Sequence, residues 1–479
     1  MNAEVLREEI RRQHEIAVSL RPELQDKKAL VRTFGCQQNE ADGERIAGEL
    51  ADCGYAMTED LAEADLVILN TCAVREHAEN RVLGIIGSIK KEKEKRPELI
   101  IGMCGCMAQE PHRQEQLRKN YPYVGLLFGT DRLHQIPEMI RDLLAAGKAG
   151  KGNGKGRAQK QYVSDLPHGE FGVITEETPV VRTSSYRALV SVMYGCNNFC
   201  SYCIVPYVRG RERSRRSEMV LGEVESLVRD GYRDIMLLGQ NVNSYKGEKT
   251  FPELLAASAS FDGEYWIRFM TSHPKDASDD LIRAMAEHPK IADHFHLPFQ
   301  SGNDRILSEM RRRYTRDRYL EKALRIKELL PDAALTSDVI VGFPTETESE
   351  FLDTVDLVRK VQFDMLYMFL YSPRRGTDAE KMDGRIPHEE QVRRFEYLSE
   401  IQNRIAEEKN AALVGKSLRV LSDGTAGRTS QNKIIYLDRE VPAGTFCTAR
   451  VTGFKQYNLV GEVEDGSAGD GKQGDRDHG

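Results

Sequence analysis

Short apolar runs alternate with helically spaced apolar positions through the first third of the chain. Each run has four or five residues, which suits a buried strand, and the segments between the runs carry apolar residues at helical spacing. The predicted strands are 30–34, 66–69, 99–103 and 124–128, and the predicted helices are 40–52, 75–93, 109–119 and 133–144. This alternation predicts an α/β domain over 29–147, a small parallel sheet covered by helices, preceded by a charged helical extension at 1–28.

A second strand–helix series follows over 182–412. Its six predicted strands are 189–193, 235–238, 266–270, 294–297, 335–341 and 365–370, each followed by a helical segment. Six such units predict an open partial barrel related to the eight-unit barrel, whose sites lie at the carboxyl ends of the strands. Polar or glycine-rich stretches occur where strands end, at 239–241, 271–273, 300–302 and 342–344.

The pattern changes again over 413–463, where short strands alternate with turns. The predicted strands are 418–421, 433–437, 446–451 and 459–463, and they indicate a small β-barrel. The segment has seven lysines and arginines against four carboxylates, and it carries Phe454 and Tyr457. A basic barrel with aromatic side chains is typical of an RNA-binding module, and a basic domain that merely packs on its neighbour remains open.

Composition restricts the class of protein. The chain has 479 residues, a net charge of −7 and no apolar run near the length of about 20 residues that a membrane span requires. With no apolar leader-like segment at the N-terminus and nine cysteines, we expect a cytoplasmic protein whose cysteines bind metal. The Gly/Lys run at 147–156 predicts a flexible linker within 148–181, and the Gly/Asp-rich tail 464–479 predicts disorder.

The spacing of Cys196, Cys200 and Cys203 is the strongest chemical signal. Three thiolates can hold three corners of an iron–sulfur cube, and neither a cysteine nor a histidine close by supplies the fourth ligand. The remaining iron is then open to a substrate or cofactor. A structural zinc site and a set of unliganded thiols are the alternatives, and the missing fourth ligand disfavours zinc.

A second set of three cysteines follows the first three predicted strands: Cys36, Cys72 and Cys106. Because the carboxyl ends of parallel strands share one edge of a sheet, these loops converge, and we expect a three-thiolate metal site there. Cys104 competes with Cys106 as a ligand, but its place at the end of a strand favours a buried small apolar residue. Cys53 and Cys447 have no clustered partners.

The cysteine spacing, with Tyr202 before the last cysteine, resembles that of radical S-adenosylmethionine enzymes. The two cysteine sets together with a basic C-terminal barrel resemble the methylthiotransferases, in which that barrel is the TRAM domain. The resemblance covers 29–463 and is carried by Asn-Thr-Cys-Ala-Val at 70–74, the stretch 195–203, Val205-Pro206, Arg209-Gly210, His-Leu-Pro-Phe-Gln-Ser-Gly at 296–302, Asp-Val-Ile-Val-Gly-Phe-Pro at 338–344 and Tyr371-Ser372. Thr345 departs from the glycine that the family often has.

The resemblance implies an enzyme that uses two 4Fe–4S clusters and two S-adenosylmethionine molecules per turnover. The loop at 237–245 is similar to the branch that inserts sulfur and methyl at C2 of N6-isopentenyladenosine beside the tRNA anticodon. The alternatives are methylthiolation of threonylcarbamoyladenosine tRNA or of a ribosomal-protein aspartate, and, from another class, a non-catalytic iron–sulfur protein that binds RNA or transfers electrons. The implied partners are isopentenylated tRNA and a low-potential electron donor such as flavodoxin or ferredoxin, with the chain a monomer and no membrane partner.

The resemblance also implies positions for the cofactor. It suggests Tyr202 near the adenine, Gln240 or Asn241 near the methionyl amine, and Gln300 with Ser301 near the ribose. Separately, the run 209–216 has five arginines and one acid just after the cysteine loop, where we expect contact with RNA phosphates rather than only a solvated charged face. Arginines 311–313, on a predicted helix, are weaker candidates for the same contact.

Overall fold

A computed structural model of the chain describes residues 3–73, 76–149, 174, 176 and 178–464. The predicted linker at 148–181 and the predicted tail at 464–479 lie largely outside these residues. Within them, no helix combines the length and apolar character needed to cross a membrane.

The N-terminal domain is a five-stranded parallel sheet in the order β2-β1-β3-β4-β5. Its strands are β1 (Lys28–Thr33), β2 (Ala56–Met57), β3 (Leu66–Thr71), β4 (Ile100–Gly105) and β5 (Leu126–Leu127), and its helices are α1 (Ala3–Leu24), α2 (Gln37–Asp52), α3 (Glu76–Lys95), α4 (Cys106–Gln109), α5 (Pro111–Asn120) and α6 (Ile136–Ala149). All four predicted strands are confirmed. The two-residue edge strand β2 and the single-turn helix α4 were not predicted, because each is too short to show a period.

Helices cover both faces of this sheet. Successive residues of β3 alternate between two cores: Ile68 packs beneath α1, α2 and α6, whereas Val67 and Leu69 pack against α3 and α5. Because both faces are covered, every residue of β3 is buried. The strand ends, with their cysteine loops, are then the open part of the sheet.

The central domain is an open arrangement of six parallel strands in two halves. One sheet has the order β10-β9-β6 and the other β11-β12-β13, and a bridge between Ile267 and Ile291 joins them. The strands are β6 (Arg187–Ser191), β9 (Asp234–Leu238), β10 (Trp266–Phe269), β11 (His294–His296), β12 (Ala334–Val341) and β13 (Met365–Leu370), and the helices are α8 (Ser217–Arg229), α9 (Phe251–Ser258), α10 (Asp279–Glu287), α11 (Asp304–Glu309), α12 (Arg316–Leu329), α13 (Glu348–Val361) and α14 (His388–Ala411). The six predicted strands are confirmed, and one large apolar core links them to the surrounding helices.

A loop excursion follows β6. It is closed at its base by the hairpin β7 (Met193–Tyr194) and β8 (Arg213–Ser214), and it contains the short helix α7 (Val205–Arg209). This excursion carries Cys196, Cys200 and Cys203 and projects them toward the N-terminal domain, where α7 lies against α4.

Five strands form a closed C-terminal barrel in the order β14-β15-β16-β18-β17. They are β14 (Ser417–Ser422), β15 (Gly424–Thr429), β16 (Ile434–Val441), β17 (Phe446–Lys455) and β18 (Asn458–Val463). Four were predicted, and β15 was missed because its sequence, Gly-Thr-Ala-Gly-Arg-Thr, lacks the bulky apolar residues that mark a strand.

The barrel is fastened to the amino-terminal end of the partial barrel. The buried Arg268 guanidinium donates to the carbonyls of Thr429 and Ser430 at 2.9 Å each, and Trp266 meets Phe446 edge to face. Lys433 is paired with Asp364. Part of the basic excess therefore serves the packing of the barrel on its neighbour, and the exposed bases Lys416, Arg450 and Lys455 lie on the rest of its surface.

Candidate metal centres and cofactor site

The sheet edge brings Cys36, Cys72 and Cys106 together. Cys36 caps the start of α2, Cys72 follows β3, and Cys106 begins α4 directly after β4. Cys36 lies at the surface while the other two are buried, so the set opens outward at one corner. A hydrogen bond with Cys72 lowers the pKa of Cys36 to about 6, and the charge of Arg209 acts in the same direction.

Two glycines make this convergence possible. Gly35 has φ +117°, and a Cβ at this position would lie 2.3 Å from the Cys72 Cβ and 2.8 Å from its Sγ. Gly105 has φ +90°, and a Cβ there would lie 2.3 Å from the Thr71 carbonyl oxygen. Both positions therefore require glycine for conformation and for space.

Two buried asparagines tie the three loops to one another. The Asn39 amide donates to the Phe34 carbonyl at 2.9 Å, and the Asn70 amide donates to the Asn39 carbonyl at 2.7 Å. The Asn39 side-chain oxygen lies 3.9 Å from the Cys106 sulfur. The arrangement of the cysteines is thus held by hydrogen bonds that would persist without a bound group.

The remaining N-terminal cysteines face away from the set. Cys104 and Cys53 are both buried in the core beneath α1, α2 and α6, and burial raises the pKa of each thiol. Cys447 is half-buried in the C-terminal barrel. These positions agree with our interpretation of Cys104 as a buried apolar residue.

Cys196, Cys200 and Cys203 share one tight loop. Gly195 has φ +77°, a Cβ there would lie 2.1 Å from the Arg211 carbonyl oxygen, and the Cys203 amide donates to the Cys200 carbonyl at 3.0 Å. Burial raises the pKa of Cys196 to about 11 and also raises the pKa of Cys203. Burial therefore favours the protonated thiols of Cys196 and Cys203, and the binding of a metal would have to displace those two protons.

A buried arginine lies against this second set. Arg312 donates from one terminal nitrogen to the Cys200 sulfur at 3.4 Å, from the other to the Pro298 carbonyl at 3.0 Å, and from Nε to the Tyr314 hydroxyl at 3.0 Å. Its acceptors are a sulfur, a carbonyl and a hydroxyl, and no carboxylate pairs with it among the described residues. A buried positive charge needs an anionic partner, and a thiolate-bound cluster or a cofactor carboxylate would provide one.

Both cysteine sets are compatible with iron–sulfur clusters. Across the part of the chain that the structure describes, no three His, Cys, Asp or Glu side chains converge as the ligands of one ion would. A cube spreads its ligands over separate corners, so thiolates in neighbouring loops can hold it without meeting at a point. Thiolate-only sets are also the ligands that such clusters use.

Several buried polar atoms at the carboxyl ends of β9 and β10 have no hydrogen-bond partner among the described residues. They are the Asn241 Oδ1, the Ser272 Oγ and the His273 Nε2, and the Asn198 Oδ1 of the cysteine loop is also unpaired. Burial and the charge of Arg312 lower the pKa of His273 to about 2, so this ring is neutral. Unsatisfied buried polar atoms are costly, and a polar ligand held here would satisfy them.

The structure brings the predicted cofactor residues to the same end of the partial barrel. The Asn241 amide donates to Asp276 at 2.9 Å, and Gln240 accepts from the Gly195 amide. Gln300 sits at φ +66° between backbone bonds to β12, and Ser301 is buried beside it. Tyr202 packs among Met310, Phe343 and Tyr371.

Gln240 also spans two domains, since its amide donates to the Gln38 side chain at 3.3 Å. Such a structural bridge is a use of Gln240 that the sequence did not indicate. The assignment of these residues to the adenine, amine and ribose stays a prediction.

Two of the five arginines in the run 209–216 are buried, whereas Arg211 and Arg216 are exposed and their predicted contact with RNA stays a prediction. Arg209 is buried against the N-terminal cysteines, and Arg215 is buried between Glu176 and Glu223. Arg312 is likewise buried, in a turn between α11 and α12 rather than on a helix. The prediction of phosphate contact is wrong for these three arginines, since each is buried and its guanidinium donates hydrogen bonds inside the protein.

A buried apolar contact joins the loops of the N-terminal cysteine set to the segment that follows the second set. Ala73 and Cys106 of the N-terminal domain pack against Ile204 and Val208 of α7. Because α7 begins two residues after Cys203, only a few apolar side chains separate the two ligand loops. This contact and the roles of Arg209, Arg312 and Asn39 were not predicted from the sequence. The motif Arg209-Gly210 was the one sequence signal near this contact.

The chain matches two family models and a large set of relatives. Residues 190–358 match the radical SAM superfamily, and residues 28–129 match the family described as uncharacterized protein family UPF0004. A relative from Acetivibrio thermocellus is 46% identical over 446 residues, covering 90% of each chain, and one from Caldicellulosiruptor saccharolyticus is 46% identical over 443 residues, covering 90% of this chain and 91% of the relative. A Thermoanaerobacter relative is 42% identical over 477 residues, covering 96% and 98%. All three are named tRNA-2-methylthio-N(6)-dimethylallyladenosine synthase.

Solved structures share the fold at low identity. The radical S-adenosylmethionine methyltransferase TsrM from Kitasatospora setae superposes with a TM-score of 0.51 at 14% identity, covering 74% of each chain. A second structure of the same protein, with tryptophan and a cofactor analogue bound, gives a TM-score of 0.50 over 73% of this chain and 75% of that one. At this identity the likeness extends to the fold alone.

Proposed function

The chain belongs to the family of the tRNA-2-methylthio-N(6)-dimethylallyladenosine synthases, and on this premise we propose that it inserts sulfur and a methyl group at C2 of N6-isopentenyladenosine beside the tRNA anticodon. It is a radical S-adenosylmethionine methylthiotransferase. The observation that carries the proposal is the packing of Ala73 and Cys106, in the loops of one three-cysteine set, against Ile204 and Val208, which directly follow the loop of the other set. Radical formation and sulfur delivery need two such centres side by side.

The target carbon explains why the chemistry comes from cofactors. No side-chain acid or base can activate an aromatic C–H bond, so the hydrogen must be removed by a radical. When bound, the 4Fe–4S clusters and two S-adenosylmethionine molecules would supply the methyl group, the inserted sulfur and, through reductive cleavage, the radical that abstracts the hydrogen. The protein's own task is to bind, orient and shield these groups.

We assign roles to the side chains accordingly. Cys196, Cys200 and Cys203 would hold the cluster that binds the cleaved cofactor, and Cys36, Cys72 and Cys106 would hold the sulfur-bearing one. Asn241 would orient the bound cofactor, supported by its unpaired buried oxygen. Tyr202, Gln240, Gln300 and Ser301 remain the candidates for adenine, amine and ribose contacts.

The three-domain organisation of the chain supports a separate function for each domain. We propose a methylthiotransferase domain over 29–147, a radical domain over 182–412 and an RNA-binding barrel over 413–463. A low-potential donor such as flavodoxin or ferredoxin would supply the electron, and we expect a cytoplasmic monomer.

A reconstitution assay tests this function. Anaerobically reconstituted protein is incubated with S-adenosylmethionine, dithionite, sulfide and tRNA that carries isopentenyladenosine, and the nucleosides are analysed by mass spectrometry. We expect a methylthio product from this tRNA and none from the same tRNA without the isopentenyl group. The variant Cys36→Ala/Cys72→Ala/Cys106→Ala should cleave the cofactor and form no product.

Three outcomes would contradict the proposal. A product formed only on threonylcarbamoyladenosine tRNA would assign the chain to another branch. If the iron-loaded protein does not cleave S-adenosylmethionine, the chain is a binding protein and not an enzyme of this class. A methylthio product from the triple variant would show that Cys36, Cys72 and Cys106 are not needed for sulfur delivery.

A further inference from the structure

Arg209 reaches from the loop of one cysteine set to a sulfur of the other. Its Nε donates to the Cys106 Sγ at 3.2 Å, and one terminal nitrogen donates to the Asn39 Oδ1 at 2.6 Å and to the Asp42 Oδ2 at 2.8 Å. The side chain is 5% exposed. One guanidinium thus joins the radical domain to the strand-end loops of the N-terminal domain.

The backbone that carries Arg209 is fixed relative to Cys196, Cys200 and Cys203. The Cys196 amide donates to the Gly210 carbonyl at 3.1 Å, which closes the loop from residue 196 to residue 210. All three cysteines lie inside this closed loop, and Arg209 is the last residue before its closure. A displacement of Arg209 would therefore be transmitted to the cysteine loop.

The surroundings of the Arg209–Cys106 bond strengthen it. Cys106 is buried in the apolar contact with Ala73, Ile204 and Val208, where water does not screen charge. An ordinary buried ion pair with Asp42 would need only the terminal nitrogens of Arg209. The additional bond from Nε to a sulfur is what distinguishes this arginine from a purely structural one.

Hydrogen bonds and positive charge at a ligand sulfur stabilise the more negative, reduced form of a cluster and so raise its reduction potential. We propose that Arg209 is a positioning residue that sets the reduction potential of the N-terminal centre through the Cys106 sulfur and fixes that centre relative to the radical loop. This inference rests on the proposed function, since it takes Cys106 to be a cluster ligand. Asp42 opposes Arg209 in charge, so the two residues should act on the potential in opposite directions.

The test measures the potential of the N-terminal centre alone. In full-length protein with Cys196, Cys200 and Cys203 replaced by alanine, the remaining cluster is titrated under electron paramagnetic resonance. We expect Arg209→Gln to shift its midpoint potential downward and Asp42→Asn to shift it upward, with Arg209→Lys falling between Gln and the parent because it keeps charge but loses the planar fork. The exposed Arg216→Gln, from the same arginine run, should cause no shift.

The outcomes separate this inference from the function beneath it. If the parent with only the N-terminal cysteines binds no iron, the proposed function fails. If the parent binds iron and the midpoint potential of Arg209→Gln equals or exceeds that of the parent, the inference is overturned. If Arg209→Gln binds no iron, the Arg209→Lys variant is measured instead. A midpoint potential below that of the parent supports the inference. An unchanged potential, or an equal loss of iron in Arg209→Lys, Arg209→Gln and Asp42→Asn, would mean that Arg209 acts only in folding and would overturn the inference.

Discussion

Replacing Gly35 with alanine should remove one metal centre and leave the other intact. The new Cβ would lie 2.3 Å from the Cys72 Cβ, and the backbone at φ +117° would carry a side chain in a conformation that disfavours one. The left-handed conformation costs about 1–2 kcal/mol and an overpacked buried contact about 1–3 kcal/mol, so the loop loses about 2–5 kcal/mol. Relief comes most simply by moving Cys72 away from Cys36.

The assay is the iron content of anaerobically reconstituted protein, followed by two activities. We expect Gly35→Ala to contain about half the wild-type iron, as the loss of one of two equal clusters requires, and to cleave S-adenosylmethionine at an undiminished rate without methylthio product. The control is Gly222→Ala in α8, where a Cβ meets nothing within 4 Å. It should keep all its iron and gain about 0.5–1 kcal/mol of stability. Full iron and full product in Gly35→Ala would refute the steric argument.

Three further predictions concern the radical centre, the RNA surface and stability. Replacing Cys196, Cys200 and Cys203 with alanine should halve the iron and abolish cofactor cleavage, and unchanged iron would contradict the ligand assignment. Replacing the exposed Lys416, Arg450 and Lys455 with alanine should weaken tRNA binding and reduce the slope of log affinity against log salt by about 2–3, measured by filter binding; an unchanged slope would show that this face does not touch RNA. His134 is buried and its pKa is lowered to about 4, because burial disfavours the charged ring. Its contribution to stability is therefore complete above pH 6.5 and is lost as the pH falls toward 4, by about 3 kcal/mol, and urea unfolding of His134→Gln should lack that pH dependence.

Much of the architecture was predictable because the spacing of apolar residues over short stretches of sequence indicates where strands and helices form. Apart from β2 and the hairpin β7–β8, the strands of the two βα domains were found from apolar runs. The convergence of Cys36, Cys72 and Cys106 follows from the rule that parallel strands end at one edge. Strand β15 was not predicted because its residues are small or polar rather than bulky and apolar. It forms as part of the closed barrel. Helix α4 escaped because a single turn has no repeat.

The contacts between domains were not predictable in the same way. Arg209 and Cys106 are 103 positions apart, and a run of arginines gives no sign of which members turn inward. The choice is made by partners supplied elsewhere in the chain, such as Asp42 for Arg209 and Glu176 for Arg215. The resemblance to known enzymes indicated the chemistry of the loops, whereas their mutual contacts required the structure.

The attachment of the C-terminal barrel has a consequence for how a nucleotide is chosen. Arg268 and Trp266 fasten that barrel to the end of the strands opposite the cysteine loops, which sets its position relative to those loops. If the barrel binds RNA as we propose, the bound RNA would reach the cysteine loops across a fixed distance. The modified residue would then be selected by its distance from the barrel as well as by its chemical identity.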